Sequence, residues 1–535
     1  MRVKAVSGPL AVQAIAGSYA VTLGFDHDRA AMDGVHGFAV ERLDHTEGKR
    51  AWLSNRIRYA GVSSWGSNWN PFQTFSWGDY RAKPEHSYTY LVHAMGGTPG
   101  QELQPRSSVS LQVATEPPDA HGIWFNRGAF ASQAYAERFK NLPPDQVPNR
   151  EAWKWLSRGL EEAILGFIGQ ANQSGWELHA SFYEFRHAPV LEAFGVAAAA
   201  GAQVQLIVDD TPENHDAVAA AGIDHLVVTW RKRAVIPHNK FVVASRHGVA
   251  LAVWTGSTNI TENGIFGQSN VGHRVTDTPT ADRYLDYWAQ LKADPTHGVL
   301  VKWVDANSAV PDTWPVGTTV IFSPHSALTA LERYANLFGA ATGLACGTFP
   351  FKLDSRFADL LPGDHEAVRW LLFEDPKVAG GAAAGVTDAD TVIAAGAFLP
   401  EGGLSGFAGE LKNPLSHNVE YIHSKYLLID PLGDDPIVVT GSANFSNAST
   451  NKNDENMLII RGNPAVADVY FSEFFRLFNH YRFRYSLGLK PSDPTPGPET
   501  GTEAPRTLDD ANGWWAKHYD EPARAKQRKL LAGTL

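Results

Sequence analysis

Short runs of alternating apolar and polar residues fill the first part of the chain, up to about residue 118. In Tyr19–Phe25, Tyr88–Ala94 and Val109–Val113 the apolar residues fall on every second position, and residues two apart share one face of a β-strand. Clusters of Gly, Pro, Asn and Asp separate the runs, as turns between strands do. The pattern predicts an all-β sandwich of about seven strands over residues 1–118, ended by Pro117-Pro118.

From residue 119 the pattern changes to alternating helices and strands, and the same order then occurs a second time. Apolar residues at helical spacing are followed by continuous apolar runs, which are typical of strands buried in a parallel or mixed sheet. The helix and two strands predicted in each copy are Leu160–Ala171, Trp176–Phe185 and Val204–Val208 in the first and Leu328–Phe338, Gly343–Phe351 and Val368–Phe373 in the second. We therefore predict two copies of one α/β unit, over residues 119–300 and 301–490.

The remaining residues, 491–535, are predicted to hold a linker and a terminal helix. The run Pro491–Thr502 is rich in Pro, Gly and Thr and has too little apolar content to pack. The segment from Trp514 to Leu531 predicts a helix that docks back on the body of the protein.

Two short segments, one in each α/β unit, contain the same polar residues at the same spacing. The segments are His238-x-Lys240 with Gly256-Ser257-Thr258-Asn259 and His423-x-Lys425 with Gly441-Ser442-Ala443-Asn444. In both segments the lysine lies 2 positions after the histidine, the glycine lies 18 positions after the histidine, and the asparagine lies 21 positions after it. A histidine and a lysine two apart on a strand point to the same face. Two such halves facing each other would surround one phosphate with imidazoles, ammonium groups and carboxamides, which suits attack on a phosphodiester.

On these motifs the sequence resembles the phospholipase D superfamily, whose pattern is His-x-Lys-x4-Asp followed by Gly-Ser-x-Asn or Gly-Ser-x-x-Asn. The resemblance covers about residues 120–490. It implies a pseudo-twofold pair of phospholipase D-like α/β/α domains, a covalent phosphohistidine intermediate and no metal or other cofactor. The catalytic residues that it implies are His238, Lys240, Asn259, His423, Lys425 and Asn444, with His238 as the nucleophile, and the supporting residues are Ser257, Ser442, Asp430 and Glu455.

Two positions depart from this family pattern. Ser245 stands where the first motif would have its aspartate, whereas Asp430 is present in the second. Glu455 resembles the carboxylate that orients a catalytic imidazole, and the corresponding place in the first half reads Gln268-Ser269-Asn270. One histidine is thus expected to be backed by a carboxylate and the other by an amide, which would separate their pKa values as an acid and a nucleophile require.

The N-terminal segment carries a second resemblance. Its predicted strands Phe38–Leu43 and Tyr88–Ala94 resemble those of a fibronectin type III or immunoglobulin-like domain. For such a domain the sequence leaves open whether it binds a surface, a polymer or nothing.

Three further features could belong to a substrate site or to solvated loops. Glu184 and Lys352 lie at matching strand ends of the two units, and the run Arg231-Lys232-Arg233 precedes the first motif. The second unit also has about 20 more residues than the first between strand and motif. We expect this Gly- and Ala-rich loop, residues 377–420, to form a lid or a pocket wall.

Composition excludes several classes of protein. The chain has 535 residues, a formal net charge of −11 and 44% hydrophobic residues, as soluble globular proteins do. Cys346 is the single cysteine, which excludes an intramolecular disulfide and a cysteine-based metal site. No apolar run is long enough to span a membrane, and Gly8-Pro9 interrupts any signal-peptide core. These features favour the cytoplasm, with secretion by a route without a signal peptide as the alternative.

The predicted function is that of a monomeric, metal-independent phosphodiesterase of the phospholipase D type. Its expected substrate is a phospholipid, which it hydrolyses or whose phosphatidyl group it transfers to an alcohol, with peripheral membrane contact. The first alternative is a nuclease of the same superfamily acting on DNA or RNA, which a basic groove joining Arg231–Arg233 to the site would favour. The second alternative is an inactive binding scaffold.

Overall fold

An N-terminal β-sandwich is followed along the chain by two α/β halves. The computed structural model describes residues 1–115, 117, 120–363, 365–399, 408–416, 419–488 and 507–535. The predicted end of the sandwich at Pro118, the predicted linker up to residue 506 and part of the predicted 377–420 loop lie outside the described residues. Among the described residues, no helix combines the length and the apolar character needed to cross a bilayer.

The sandwich is built from strands β1 (Arg2–Ser7), β2 (Leu10–Ala16), β3 (Val21–His27), β4 (Gly37–Asp44), β5 (Lys49–Trp52), β6 (Ser76–Asp79), β7 (Ser87–Gly96) and β8 (Gln104–Ala114). They form two antiparallel four-stranded sheets, in the orders β1-β2-β3-β6 and β5-β4-β7-β8. The period-two pattern explains the packing, because Tyr88, Tyr90 and Val92 of β7 are all buried in the core of the sandwich. The all-β prediction is confirmed, with eight strands in place of about seven.

The first half contains strands β9 (His121–Phe125), β10 (Trp176–Phe182), β11 (Gln203–Asp209), β12 (Val227–Arg231), β13 (Lys240–Arg246), β14 (Val249–Gly256) and β15 (Val271–Val275). Their order in the sheet is β12-β11-β10-β13-β14-β15-β9. Its helices are α1 (Gln133–Phe139), α2 (Glu151–Ser157), α3 (Leu160–Gly169), α4 (Ala188–Ala199), α5 (Pro212–Ala220), α6 (Thr278–Leu291) and α7 (His297–Asn307).

The second half contains strands β16 (Gly317–Ser323), β17 (Leu344–Phe349), β18 (Val368–Phe373), β19 (Thr391–Ala395), β20 (Tyr426–Ile429), β21 (Ile437–Gly441) and β22 (Glu455–Arg461). Read from its β19 edge, the sheet has the order β19-β18-β17-β20-β21-β22-β16, which is the order of the first sheet strand for strand. The helices that follow are α8 (Thr329–Gly339), α9 (Ser355–Ala358), α10 (Pro376–Ala384), α11 (Asn447–Asn451), α12 (Pro464–Gly488), α13 (Lys517–Asp520) and α14 (Pro522–Ala532). The pseudo-twofold pair of α/β/α domains is confirmed.

Two helices lie between the sheets and join the halves into one core. Tyr284 of α6 packs against Phe241 of β13 at 5.1 Å and Phe322 of β16 at 5.2 Å between ring centroids. Tyr470 of α12 packs against Phe125 of β9 at 5.2 Å and Tyr426 of β20 at 5.4 Å. Each helix therefore contacts both sheets, so neither half has a separate inner core.

The prediction of a lid or pocket wall over residues 377–420 is corrected for the first part of this range. Its Gly- and Ala-rich start forms helix α10 and edge strand β19, which occupy the same positions in the second half as α5 and β12 in the first. These residues are regular because β19 pairs in parallel with β18 and completes the sheet. The residues by which the second half is longer than the first therefore come after β19.

The terminal helix α14 packs on the sandwich. Gln13 of β2 donates a hydrogen bond to Leu531 O at 3.2 Å, and Arg528 pairs with Asp26 of β3. At Gly24 of β3 an added Cβ would collide with the backbone of Leu531, so only glycine allows the helix to approach this closely.

Candidate active site

The histidine, lysine and asparagine of each motif are brought together by one pair of strands. Strands β13 and β14 are antiparallel, as are β20 and β21, so the start of the first strand and the end of the second lie at one edge of the sheet. His238 precedes β13 and Asn259 follows β14, and His423 and Asn444 take the same positions at β20 and β21. These four side chains line one cleft of about 1250 Å³ between the two halves.

The two lysines lie behind the histidines and are buried, at 2% exposure for Lys240 and 0% for Lys425. Lys240 Nζ donates to the carbonyl oxygen of His238 at 2.7 Å, and Lys425 Nζ donates to that of His423 at 2.5 Å. Burial lowers the pKa of Lys240 to about 7 and lowers the pKa of Lys425 well below its usual range. An anion in the cleft would favour the charged form of both.

Each histidine is held by a residue of the opposite half. His238 Nδ1 lies 2.8 Å from Glu455 Oε2, and His423 Nδ1 lies 2.9 Å from Asn270 Oδ1. Asn270 Nδ2 donates to Gly264 O at 2.8 Å, so the amide oxygen faces the imidazole. In both pairs the Nδ1–H is therefore the donor, and Nε2 is left for the substrate.

The motif serines hold these two partners in place. Ser442 Oγ donates to Glu455 Oε2 at 2.7 Å, and Ser257 Oγ donates to Asn270 Oδ1 at 2.8 Å. Each serine oxygen also accepts a backbone N–H from the residue after its partner, at 3.0 Å from Asn456 and 3.1 Å from Val271. A carboxylate in one half and an amide in the other thus occupy equivalent positions.

Backbone hydrogen bonds also cross between the halves at the site. Ser269 N donates to Tyr421 O at 2.6 Å, and His423 N donates to Ser269 O at 3.2 Å. The equivalent contact on the other side runs from Asp454 N to Ile236 O at 2.9 Å. Each histidine segment is therefore fixed against the segment that carries its partner, and both halves are needed to build either pair.

Burial and charge act differently on the two histidines. Burial lowers the pKa of His238, while the charge of Glu455 raises it in opposition. Burial also lowers the pKa of His423, well below its usual range, and there the neighbouring charges of Lys425 and Lys240 lower it further. Burial opposes ionisation of Glu455, but His238 holds its pKa below the usual range. The carboxylate is therefore charged at neutral pH, and only His238 has a negative partner.

Asp430 and Ser245, at the equivalent ends of β20 and β13, lie away from the cleft. The Asp430 carboxylate accepts the backbone N–H groups of Thr342, Gly343 and Leu344 at 3.0, 2.7 and 2.9 Å, which anchors the start of β17. Ser245 is fully buried, and its hydroxyl has no partner among the described residues. Both residues therefore belong to the structure of the sheet and not to the cleft.

The other candidates separate into two groups. Glu184 and Lys352 both line the cleft. For the Arg231-Lys232-Arg233 run the sequence leaves a substrate contact and a solvated loop open, and the described walls of the cleft contain none of the three residues. Arg231 is buried and pairs with Asp454 at 2.9 Å and Asp294 at 2.7 Å.

The Arg231–Asp454 pair makes a prediction for stability. Arg231→Ala leaves the Asp454 carboxylate buried without its cation, so we expect the free energy of unfolding to fall by about 3 kcal/mol. The control Lys232→Ala removes a side chain that is 60% exposed and whose ammonium group lies 3.6 Å from the carboxylate of Asp210. This change should alter the free energy of unfolding by less than about 0.5 kcal/mol. Urea unfolding of the three proteins measures both values, and equal losses in the two variants would contradict the structural role of Arg231.

Several cleft residues have no counterpart in the sequence-based expectations. The Tyr183 ring lies 5.1 Å from the His238 ring and 5.2 Å from Lys240 Nζ. Its position directly after β10, next to Glu184, is a signal that could have indicated it. Trp153 and Phe266 also line the cleft, but they lie in segments without motif or periodicity.

One group of potential metal ligands occurs in the described part of the chain. Asp44, Glu47 and His86 offer ligand atoms within 4.8 Å of one another in the sandwich. Glu47 is already paired with Lys49 at 2.7 Å and with Lys83, so the charge of this group is balanced within the protein.

Part of the chain is similar to one protein family. Residues 164–292 and 405–478 match the family described as cardiolipin synthase, PLD-like domain, and each matched segment contains one histidine, lysine and asparagine set. No curated protein matches the chain significantly. Similar solved structures include a phosphatidylserine synthase from Haemophilus influenzae, at 11% identity over 71% of this chain and 94% of that one, with a TM-score of 0.43.

Two further solved structures are similar over smaller parts. A polyphosphate kinase from Porphyromonas gingivalis matches at 11% identity over 59% of this chain, with a TM-score of 0.39, and the match spans 48% of the kinase. A phospholipase D family member from Salmonella typhimurium matches at 21% identity over 24% of this chain and 84% of its own, with a TM-score of 0.21.

Proposed function

We propose that this chain, which carries a phospholipase D-like domain, is a metal-independent phosphodiesterase that acts on a phospholipid through a phosphohistidine intermediate. The observation that carries the proposal is the pair of histidines in one cleft, each held at Nδ1 by a residue of the opposite half. That hydrogen bond fixes the tautomer whose Nε2 carries the free lone pair. Because one chain supplies both halves of the site, we expect the enzyme to act as a monomer.

In the first step His238 Nε2 attacks phosphorus and the bond from phosphorus to the leaving alcohol breaks. The imidazole becomes positively charged as the P–N bond forms, and Glu455 stabilises that charge through Nδ1–H. His423, protonated at Nε2, gives its proton to the leaving oxygen. His423 has no carboxylate partner to stabilise its cation, but the negative charge of a bound phosphodiester favours the protonated form.

In the second step His423 acts as a base. Its Nε2 takes a proton from water while the water oxygen attacks phosphorus, the P–N bond breaks and neutral His238 is restored. An alcohol in place of water would give transfer of the phosphatidyl group. The amides of Asn259 and Asn444 would stabilise the charge on the phosphate oxygens in both steps, and the buried ammonium groups of Lys240 and Lys425 behind the histidines would add positive charge next to the cleft.

The charges around the cleft favour a lipid over a nucleic acid. A polynucleotide needs a continuous basic groove for its phosphates, whereas acidic and basic residues alternate here. The acidic lining residues are Asp145, Glu184 and Glu262, and the basic ones besides the histidines are Arg150, Arg186 and Lys352. Much of the remaining wall is apolar, including Phe349, Phe351 and Phe445, which suits an amphiphilic substrate.

The proposal is tested by product release from phosphatidylcholine, phosphatidylethanolamine, single-stranded DNA and bis-p-nitrophenyl phosphate in the presence of EDTA. We expect phospholipid and bis-p-nitrophenyl phosphate to be hydrolysed, and steady-state hydrolysis of phospholipid to disappear in His423→Ala. Preference for DNA would indicate a nuclease. No turnover of any substrate by the folded protein would indicate a binding scaffold.

A further inference from the structure

One wall of the cleft is built by three segments from both halves, which we call the cap. The segments are residues 126–157 with α1 and α2, the turn Asn263–Gly267, and the residues after β19 from 408 to 416 and 419 to 421. They share an apolar cluster, whose members include Phe130, Tyr135, Phe139, Leu156, Ile265 and Phe266 with Leu411 and Leu415 packed against it.

The second-half segment of the cap is fixed in place by polar contacts. Glu410, which is 0% exposed as a side chain, pairs with Arg484 at 2.5 Å. Asn413 Nδ2 donates to Asn263 Oδ1 at 2.9 Å, and Gln133 Nε2 donates to Ala408 O at 2.8 Å. A buried ion pair and hydrogen bonds to two elements of the first half make this segment a wall and not a swinging lid.

The side of the cap that faces the cleft is mostly apolar and adjoins the reacting centre. Eight residues of the cap line the same cleft as the histidines. Five of them are apolar, namely Trp153, Phe266, Pro414, Leu415 and Val419, and the other three are Asp145, Arg150 and Asn263. The rings of Trp153 and Phe266 pack edge to face at 4.8 Å between centroids. Val419 lies four positions before His423, and its carbonyl accepts a hydrogen bond from Asn263 Nδ2 at 3.2 Å.

Among the described residues, the equivalent place on the other side of the pseudo-twofold axis is more open. There the residue two positions before His238 is Ile236, which is 37% exposed, whereas Tyr421, two positions before His423, is 8% exposed. The two ends of the cleft therefore differ, and one of them offers a partly enclosed hydrocarbon environment.

From these observations we infer that the cap forms a hydrocarbon subsite, which binds an alkyl or acyl chain of the phosphodiester while the phosphate lies between the histidines. The inference rests on the proposed function. Leu415, Pro414 and Val419 are aliphatic and offer no side-chain hydrogen bond to a base, so a chain of methylenes fits this surface.

Hydrolysis of short-chain phosphatidylcholines below their micelle concentration tests the subsite. For the native enzyme we expect kcat/KM to rise about 3-fold with each added methylene. In Leu415→Asp this rise should fall to less than about 1.3-fold, because a carboxylate would replace the apolar contact. Hydrolysis of bis-p-nitrophenyl phosphate, which has no alkyl chain, should change by less than about 3-fold. The matched control is Leu142→Asp, at a leucine that belongs to the cap but is 43% exposed and outside the described cleft walls.

Binding of hexyl-, octyl- and decylphosphocholine, measured by calorimetry, separates failure of the subsite from failure of the proposed function. Affinity that rises with chain length in the native protein and not in Leu415→Asp supports the subsite even where no substrate is turned over. Equal chain-length dependence in both proteins would overturn it. So would tight binding of single-stranded DNA that Leu415→Asp weakens, because the wall would then contact bases.

Discussion

We expect His238→Ala to remove all covalent chemistry, and His423→Ala to form the intermediate and then stall. With bis-p-nitrophenyl phosphate, the first p-nitrophenolate leaves readily and needs little help from an acid. We therefore expect His423→Ala to release about one equivalent of p-nitrophenol per enzyme in a rapid burst. Steady-state turnover should then fall by roughly 10²–10⁴-fold, because no base activates water.

His238→Ala has no atom that can attack phosphorus, so it should show neither the burst nor turnover above roughly 10⁻⁴ of the native rate. Rapid-quench measurement of p-nitrophenol, with EDTA present, distinguishes the variants. Acid-labile phosphate bound to the protein should appear in His423→Ala alone. The control is His225→Ala, an exposed histidine of the first half, which should behave as the native enzyme does. A burst in His238→Ala and none in His423→Ala would make His423 the nucleophile.

The contacts of the two histidines are the reason for expecting this division of roles. A nucleophilic imidazole carries a positive charge for as long as the phosphoryl group is bound to it, and a carboxylate at Nδ1 stabilises that charge. Only His238 has such a partner, in Glu455 at 2.8 Å. His423 needs its positive charge only while the substrate or the intermediate supplies negative charge nearby. The neutral amide of Asn270 orients the His423 ring without adding a charge.

The sequence predicts much of the site because its geometry follows from strand periodicity and spacing. A histidine and a lysine two apart, and a Gly-Ser-x-Asn at a fixed distance, are sufficient to indicate one edge of an antiparallel strand pair. The identical offsets in the two copies indicate the same strand order in both sheets, which is what the sheets have. Glu455 and Asn270 could be aligned by the same offsets.

Other features depend on contacts that no local pattern encodes. The sequence does not indicate that each partner reaches the histidine of the opposite half, since that depends on how the halves pack around α6 and α12. In the sequence Arg231 stands beside two other cations, a pattern typical of solvated charge. In the structure it is buried and paired with Asp294 and Asp454. The cap combines three segments distant in sequence, so Trp153 and Leu415 can be grouped only once the chain is folded.

The different partners of the two histidines can be exchanged by single isosteric substitutions. Glu455→Gln removes the charge that opposes burial at His238, so its pKa should fall further below the usual range. The acidic limb of the kcat profile, which reports deprotonation of the nucleophile in the enzyme–substrate complex, should then move to lower pH. The rate at the optimum should fall by roughly 10²–10⁴-fold, because the phosphohistidine cation loses its counter-charge.

Asn270→Asp makes the opposite change at His423. The new carboxylate would raise the pKa of this histidine, so the alkaline limb, which reports loss of the acid's proton, should move to higher pH by about 1–2 units. Glu213→Gln, at an exposed glutamate in the first turn of α5, controls for the loss of a carboxylate elsewhere and should leave the profile unchanged. If Glu455→Gln moved the alkaline limb, or Asn270→Asp the acidic one, the acid would be His238 and the nucleophile His423.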